Sequence, residues 1–418
     1  MTNFDSFLSR AGETMQESAI RKMGSMLADS RDLVSFAPGY PAEAAFAWDD
    51  FRAIADDVLS SRRETVLQYG ATRGYRPLLE SITGLMAERG IRAPVEQLVV
   101  TNGSQQGLDL TARVLLDRGD VVLVELPTYT GAISAFRGVG AELVGVRQDA
   151  DGCDLDALDA TLVRLRAEGR RVKFFYTVPN FQNPTGLLVG LDKRRRLLEW
   201  AERRDVLVVE DDPYRDLYFT DVTEEADTRA LAADDTTGRV IYMSSFSKTL
   251  APAFRVAWLS AAPELVGRFE LAKQASDLCS GALGQQIVNE ACRRGVLARQ
   301  LPRLRALYRE KRDVMVDELT RACGDVLTWD MPRGGFFLWA RLREPIDGDS
   351  LLPRALARGV IYVAGSAFFV SGTERQFIRL SFSSPPADRI HEGVRRLADA
   401  LSDARAAAPA AAASQAAR

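Results

Sequence analysis

The sequence predicts an α/β protein in which a large domain, built on a mainly parallel seven-stranded sheet, is followed by a smaller α+β domain. Two observations predict this fold. Between residues 97 and 260, short continuous apolar runs alternate with longer helical patterns, and after Ala261 long amphipathic helices precede short strands and turns. Continuous hydrophobicity indicates strands covered on both faces, and alternation with helices indicates parallel crossovers. Ligands of such a sheet gather where its strands end.

The elements of the large domain follow in chain order. Seven apolar runs are predicted strands, at residues 98–101, 121–124, 143–146, 174–177, 206–209, 240–243 and 256–259. Helical patterns lie between them at residues 106–116, 155–167 and 193–203. Most of the polar motifs described below come directly after one of these strands.

The smaller domain begins with helices. Amphipathic periodicity predicts helices at residues 265–275, 285–294 and 301–323, and a closing helix at 390–401. Strand patterns lie between them at residues 334–339, 360–363 and 377–381. The alanine-rich stretch after residue 405 has nothing to bury and predicts a disordered tail.

The composition excludes several classes of protein. With 46% apolar and 27% charged residues and a net charge of −3, the chain has no basic excess that would attract nucleic acid or an anionic membrane. One histidine and four scattered cysteines argue against a histidine triad, a metal site or a disulfide framework. No apolar run approaches the roughly 20 residues that span a bilayer, and no signal-peptide pattern is present, so we expect a cytoplasmic protein.

The most informative segment is SSFSKT at residues 244–249, with Arg255 seven residues after Lys248. A lysine among hydroxyls, followed by an arginine, suits pyridoxal phosphate, because the amine forms a Schiff base with the aldehyde while Ser245, Ser247 and the guanidinium hold the phosphate. Alone, the segment also fits an ordinary polar loop.

A second anion site is predicted at TNGSQQ, residues 101–106, where a strand ends and a helix opens. Backbone N–H groups and the positive end of the helix dipole would meet a phosphate there. Gly103 permits a close approach, and Ser104 can cap the helix and contact the anion. An ordinary strand-to-helix turn is the alternative.

Two strand-end motifs supply polar groups for a cofactor ring. The turn FQNPTG, residues 181–186, offers the carboxamide of Asn183 to a phenolic oxygen. The strand end VVEDDPY, residues 208–214, places Asp211 where a buried carboxylate needs a cationic partner such as a pyridinium nitrogen, and Tyr214 could share the phenolic oxygen. Turn chemistry and turn-capping acids are the alternatives.

Three further residues complete the candidate site. Arg379, in the strand-like FIRLS of residues 377–381, would need a buried anion if it points inward, and a substrate carboxylate fits its guanidinium. Tyr129 follows a strand end and could stack on the cofactor ring, while Tyr69 could add a phenol to the phosphate site. An outward-facing arginine and merely packed tyrosines remain open.

Order and residue types of these segments resemble the class I/II aminotransferases of the aspartate aminotransferase superfamily, the pyridoxal-phosphate-dependent transferases of fold type I. The resemblance spans roughly residues 15–403 and is closest to the α-aminoadipate/kynurenine aminotransferase branch. It implies a homodimer with shared active sites, in which Tyr69 reaches into the neighbour's site. It also implies the cofactor's Schiff base on Lys248, the α-carboxylate on Arg379, and a phosphate site made by Ser104, Gln105, Ser245, Ser247 and Arg255.

The N-terminal region carries the substrate side of the resemblance. QESAIR, residues 16–21, matches a helix that closes over the substrate, so Ser18 and Arg21 become substrate-binding candidates; a solvent-facing Arg21 is the alternative. In FAPGYP, residues 36–41, the sequence departs from the branch because Pro38 replaces a glycine and Tyr40 an aliphatic residue. Gly39 and Tyr40 are predicted to face the substrate, and this change leaves the side-chain preference open.

The resemblance divides the chain into four parts: an N-terminal arm and substrate lid (1–45), the cofactor domain (46–290), the small domain (291–403) and a disordered tail (404–418).

The activity implied is transfer of an amino group between an L-amino acid and a 2-oxo acid, with 2-oxoglutarate as the expected acceptor. Tyr40 and Tyr129 favour an aromatic or branched amino acid, whereas Arg21 favours a second carboxylate as in 2-aminoadipate. The alternative among enzymes is one that uses the same cofactor for elimination, racemisation or cyclisation. A ligand-sensing, non-catalytic domain is the alternative from another class, but only about 35 residues precede the turn at Pro38, too few for a DNA-binding module.

Overall fold

An eight-stranded sheet forms the centre of the larger part of the molecule in the computed structural model, which describes residues 4–9, 12–13, 32–343 and 346–416. The strands in chain order are β1 (Val34–Ser35), β2 (Leu98–Asn102), β3 (Val121–Leu126), β4 (Glu142–Asp149), β5 (Gly152–Cys153), β6 (Val172–Thr177), β7 (Leu207–Asp211), β8 (Val240–Ser245), β9 (Val256–Ser260), β10 (Leu327–Trp329), β11 (Phe337–Leu342), β12 (Val360–Ile361), β13 (Val363–Ala364) and β14 (Phe377–Ser381).

The α-helices surround this sheet and a second, smaller one. They are α1 (Trp48–Ser61), α2 (Arg76–Glu88), α3 (Ser104–Leu115), α4 (Thr130–Gly138), α5 (Leu155–Ala167), α6 (Leu191–Arg204), α7 (Pro263–Ser276), α8 (Ala282–Arg293), α9 (Val296–Cys323), α10 (Gly348–Ala357) and α11 (Ala387–Ala416). Among the described residues, no helix combines the length and the apolar character needed to cross a bilayer.

The large sheet has the order β2-β9-β8-β7-β6-β3-β4-β5. The neighbours from β8 through β7, β6 and β3 to β4 pair in parallel, whereas β9 is antiparallel to both β2 and β8. The predicted α/β class and mainly parallel sheet are therefore confirmed. The eighth strand, β5, escaped prediction because it is only two residues long and pairs with the end of β4.

Successive residues of each central strand enter different cores. In β3, Val121 and Leu123 pack on one face of the sheet, while Val122 and Val124 pack on the other. Helices cover both faces, so residues 121–124 are all apolar, which is why the strands appear as continuous apolar runs.

The small domain is built on the antiparallel sheet β10-β11-β14-β13. The long helix α9 begins in the large-domain core with Val296 and enters the small-domain core from Leu304 onward. Strand β1 pairs in parallel with β12, and Ser381 N donates to Phe36 O at 2.8 Å. These contacts place residues 36–41 beside β14, the strand that carries Arg379.

Two predicted boundaries in the C-terminal part differ from the structure. The strand predicted from residue 334 begins only at Phe337, because Gly335 has φ +69° and Gly334 lies against the ring of Phe181, where a Cβ would come within 2.6 Å. Helix α11 continues to Ala416, through most of the segment predicted to be a disordered tail. Alanine has the strongest intrinsic helix propensity, so an alanine-rich segment can extend a preceding helix without burying side chains.

Candidate active site

A cavity of about 430 Å³ lies at the ends of strands β6, β7 and β8, between the two domains. Thirteen of the residues that the sequence singled out line it: Gly39, Tyr40, Ser104, Gln105, Tyr129, Asn183, Asp211, Tyr214, Ser245, Ser247, Lys248, Arg255 and Arg379. Segments separated by more than three hundred residues thus meet at one place, as expected for a ligand site at the strand ends of an open sheet.

Lys248 follows β8 and extends into the cavity. Its Nζ donates to Gly39 O at 3.0 Å and lies 6.0 and 5.7 Å from the ring centroids of Tyr214 and Phe336. Burial, followed by the nearby cations Arg255 and Arg379, lowers the pKa of Lys248 to about 8, against the pull of Asp211. This amine is therefore partly neutral near pH 8, which a nucleophile or base requires.

Asp211 is the one acid of the Glu210–Asp212 run that reaches the cavity. Strand alternation directs its neighbours to the opposite face, where Glu210 accepts from Leu231 N and Asp212 from Asn180 Nδ2, each at 2.8 Å. Burial raises the pKa of Asp211 to about 7. Its Oδ2 accepts a hydrogen bond, but its buried Oδ1 has no partner among the described residues.

Arg379 points inward and is fully buried. Its Nη1 donates to Asn183 Oδ1 at 2.7 Å, its Nη2 donates to Ala37 O, and its guanidinium lies over the ring of Phe337 at 4.3 Å. Burial lowers the pKa of Arg379 to about 10, and no carboxylate of the described chain forms an ion pair with it. A buried cation without a counter-ion needs an anionic ligand.

The predicted anion site is assembled from three segments. Helix α3 opens at Ser104, Ser245 Oγ donates to Ser247 Oγ at 2.8 Å, and Arg255 Nη2 donates to Asn102 O at 3.0 Å. Within the described ranges, Arg255 has no carboxylate partner. Hydroxyls, a helix N-terminus and a guanidinium therefore line the same cavity, and together they form a donor set that could hold a phosphate.

Gly103 does not line the cavity, but it lies against the guanidinium of Arg255, which does. The φ of Gly103 is +76°, and a Cβ there would lie 2.0 Å from Arg255 Nη2. The helix-capping role suggested for Ser104 is wrong: Gly103 is the N-cap, and Ser104 occupies the first helical position without a capping hydrogen bond. Its hydroxyl is therefore available to a ligand.

Two aromatic residues shape the walls. Tyr214 is buried and contacts Phe337 edge to face at 5.8 Å, and burial raises the pKa of its phenol. Tyr129 precedes helix α4 and lines the cavity. Both line the cavity, so each is a candidate to contact a flat ligand.

The remaining candidates lie elsewhere. Tyr69 is 79% exposed on a loop and does not line the cavity. Ser18 and Arg21 fall outside the described residues, as does the helix predicted around them.

The sequence did not single out the buried residues whose hydrogen bonds position Asp211 and the turn that carries Asn183. Tyr176 OH donates to Asp211 Oδ2 at 2.9 Å, and the buried carboxylate of Glu125 accepts from Thr177 Oγ1 at 2.6 Å and Gln182 Nε2 at 2.5 Å. Glu125 thereby fixes the turn that carries Asn183. A buried acid within an apolar strand run was the available signal for Glu125.

Comparisons with known proteins agree with this site. The model of the family aminotransferase class I and II matches residues 43–397. Aromatic-amino-acid aminotransferase 1 of Thermococcus litoralis is 37% identical over 402 residues, covering 96% of this chain and 95% of that protein. The chain belongs to the class I and II aminotransferases.

Two solved structures share the fold of this aminotransferase. The multiple substrate aminotransferase of Thermococcus profundus is 39% identical with a TM-score of 0.90, covering 97% of this chain and 99% of that one. The α-aminoadipate aminotransferase of Thermus thermophilus, complexed with N-(5'-phosphopyridoxyl)-L-leucine, is 37% identical with a TM-score of 0.87, covering 97% and 100%. Fold type I is therefore confirmed.

This aminotransferase is a pyridoxal-phosphate-dependent enzyme, and its cavity fits that cofactor. The unpartnered Oδ1 of Asp211 suits a protonated ring nitrogen, the convergent hydroxyls and Arg255 suit the phosphate, and the amine of Lys248 suits the aldehyde.

Proposed function

We propose that this aminotransferase moves an amino group between an L-amino acid of the aromatic, branched or 2-aminoadipate type and a 2-oxo acid, with 2-oxoglutarate as acceptor. The main support for this proposal is the environment of Arg379. Arg379 is fully buried, hydrogen-bonded only to neutral acceptors, and opens onto the cavity that holds Lys248. An α-carboxylate supplies the missing charge through two parallel hydrogen bonds.

In this proposal, Asn183 serves both ligands. Its Oδ1 accepts from Arg379 Nη1, which leaves its amide NH₂ to donate to the cofactor's phenolic oxygen together with the phenol of Tyr214. Tyr129, which lines the cavity, would lie against the cofactor ring. Ser104, Gln105, Ser245, Ser247 and Arg255 hold the phosphate.

Lys248 is proposed to bear the cofactor and to move the proton of the reaction. Pyridoxal phosphate, when bound, supplies an aldehyde that condenses with amines and a ring that accepts electrons. Asp211, whose Oδ1 has no partner among the described residues, would hold the ring nitrogen in its protonated form. Once its Nζ is free, Lys248 would take the proton from the substrate's α-carbon and deliver a proton to the carbon of the cofactor's former aldehyde, and its lowered pKa suits this role.

The preference for the side chain of the amino acid substrate is inferred from the cavity wall beside Gly39. A Cβ at Gly39 would lie 2.5 Å from Phe337 Cζ, and Tyr40 next to it is half-exposed at the cavity. This aromatic wall supports aromatic and branched donors. Among the described lining residues, the cations are Lys248, Arg255 and Arg379. For a distal carboxylate such as that of 2-aminoadipate, the family resemblance offers Arg21, which lies outside the described residues.

We also propose a homodimer with shared active sites. Tyr69 and Leu67 are 79% and 80% exposed on one loop. Large exposed apolar side chains close together favour a protein interface. In the dimer, Tyr69 would contact the phosphate in the neighbour's site.

A donor panel tests the proposed function. Holoenzyme is mixed with single amino acids, and conversion of the cofactor to its amine form is followed by absorbance; 2-oxoglutarate is then added. We expect aromatic, branched or 2-aminoadipate donors to convert the cofactor, and 2-oxoglutarate to reverse the change with formation of glutamate. Release of ammonia from the amino acid alone, or change of its configuration without glutamate, would instead identify elimination or racemisation.

A further inference from the structure

The contact between Tyr176 and Asp211 extends the site beyond the residues that line the cavity. Tyr176 OH donates to Asp211 Oδ2 at 2.9 Å, and both residues are buried. The other carboxylate oxygen, Oδ1, receives no hydrogen bond from the described chain. One oxygen is thus fixed by the protein, and the other is left for a ligand.

The sheet sets this contact. Tyr176 pairs in register with Val209 on the parallel strand β7, and strand alternation places Val209 and Asp211 on the same face. The ring of Tyr176 packs edge to face on Phe136, with centroids 5.6 Å apart, inside the core on that face. A phenol held in this way has little freedom, so it fixes the rotation of the carboxylate that it contacts.

We infer that Tyr176 is a positioning residue that orients the Asp211 carboxylate, with Oδ1 directed at the ring nitrogen of the cofactor. Burial and the charge of Asp211 raise the pKa of the Tyr176 phenol well above its ordinary range, so the phenol stays protonated and remains a donor. The same hydrogen bond opposes the rise that burial imposes on the pKa of Asp211. Tyr176 therefore favours the ionised carboxylate that pairs with a protonated ring nitrogen.

The inference rests on the role proposed for Asp211, and the experiment separates the two. Tyr176→Phe keeps the packed ring and removes only the hydroxyl. The affinity of the cofactor-free protein is measured for pyridoxal phosphate and for 1-deazapyridoxal phosphate, in which carbon replaces the ring nitrogen. Tyr362→Phe is the matched control, because that buried phenol donates to Gly348 O at 2.6 Å in the small domain.

We expect Tyr176→Phe to weaken pyridoxal phosphate binding by about tenfold, as for loss of a hydrogen bond to a charged group, and to change binding of the deaza compound by less than about twofold. Tyr362→Phe should change neither by more than about twofold. An equal loss for both ligands, or no loss for either, would overturn the inference, because a packing role does not depend on the ring nitrogen.

Asp211→Asn distinguishes the two possible failures. If Asp211 faces the ring nitrogen, this variant loses most of the preference for pyridoxal phosphate over the deaza compound. Retained preference would remove the proposed role of Asp211 and the inference with it. Lost preference in Asp211→Asn together with unchanged preference in Tyr176→Phe would remove only the inference about Tyr176.

Discussion

Arg379 on strand β14 donates a 2.7 Å hydrogen bond to Asn183, which follows strand β6 of the large sheet. The same guanidinium also donates to Ala37 O in the segment that follows β1. The proposed carboxylate site therefore joins both domains and the segment after β1. A substrate carboxylate bound to Arg379 would connect these segments through one charge.

The first prediction concerns this charge. Arg379→Lys keeps a cation but loses the planar fork, so we expect kcat/KM for the best amino acid to fall by about 10- to 100-fold, which corresponds to one or two hydrogen bonds to a charged group. The corresponding amine, which is the same compound without its α-carboxylate, should react equally well with the parent and with Arg379→Lys. Steady-state kinetics with the pair of donors measures this, and an equal loss for amino acid and amine would contradict carboxylate binding.

The second prediction concerns the attachment of the cofactor. Borohydride reduction of the holoenzyme should fix the pyridoxyl group on Lys248, and Lys248→Ala should lose both turnover and the visible-range imine band. Lys311 is an internal control, because burial lowers its pKa to about 8 as well, yet its Nζ donates to Ser383 O and Pro385 O at 3.0 and 2.8 Å. Peptide mapping should find no label on Lys311; label there, or normal transamination by Lys248→Ala, would contradict the assignment.

The parts of the site that could be predicted are those encoded within one segment. A carboxylate at the end of an apolar strand singled out the acids near Asp211, and strand alternation explains why it, rather than Glu210 or Asp212, reaches the cavity. A lysine among serines singled out Lys248. Six of the seven longer strands were predictable because most of their residues are buried on both faces, whereas β4 is mostly half-buried or exposed.

The contacts that escaped prediction depend on the register between strands. Tyr176 contacts Asp211 because β6 pairs with β7, and a single sequence does not reveal this pairing. In addition, a tyrosine within an apolar strand usually serves only packing, so Tyr176 did not stand out. The late start of β11 depends on Phe181, a distant residue that lies against Gly334. The continuation of α11 agrees with the high helix propensity of alanine, which a search for apolar periodicity does not detect.

The third prediction concerns the phosphate site. Gly103→Ala would place a Cβ 2.0 Å from Arg255 Nη2 at φ +76°, whereas Gly169→Ala introduces alanine at φ +73° with nothing within 4 Å. Both variants should lose about 1–2 kcal/mol of stability because alanine is strained at positive φ. Only Gly103→Ala should weaken pyridoxal phosphate binding, by about tenfold or more, because it displaces the guanidinium. Denaturant unfolding and cofactor titration measure the two effects, and equal affinities would contradict the role of Gly103.

The fourth prediction is a pH dependence of stability. In the cofactor-free protein, burial raises the pKa of Asp211 to about 7 from an ordinary 3.8. The folded state then binds more protons than the unfolded state between these values, so this residue's contribution to stability falls as the pH rises from about 4 to 7. Asp211→Asn removes the titration, so its stability relative to the parent should increase by on the order of 2–4 kcal/mol between pH 4 and pH 8. Urea unfolding at both pH values measures this, and a difference that does not change with pH would contradict it.

The fifth prediction tests the shared active site. If Tyr69 acts in the neighbour's site, a Tyr69→Ala chain still provides a complete Lys248, and a Lys248→Ala chain still provides a complete Tyr69. Mixed dimers then contain one site built from two intact contributions. After subunit exchange, an equal mixture of the two impaired variants should recover roughly a quarter of the parent activity, since half of the dimers are mixed and each has one good site. Sedimentation confirms the dimer and activity reports recovery. Activity no greater than the mean of the separate variants would show that Tyr69 does not serve a neighbouring site.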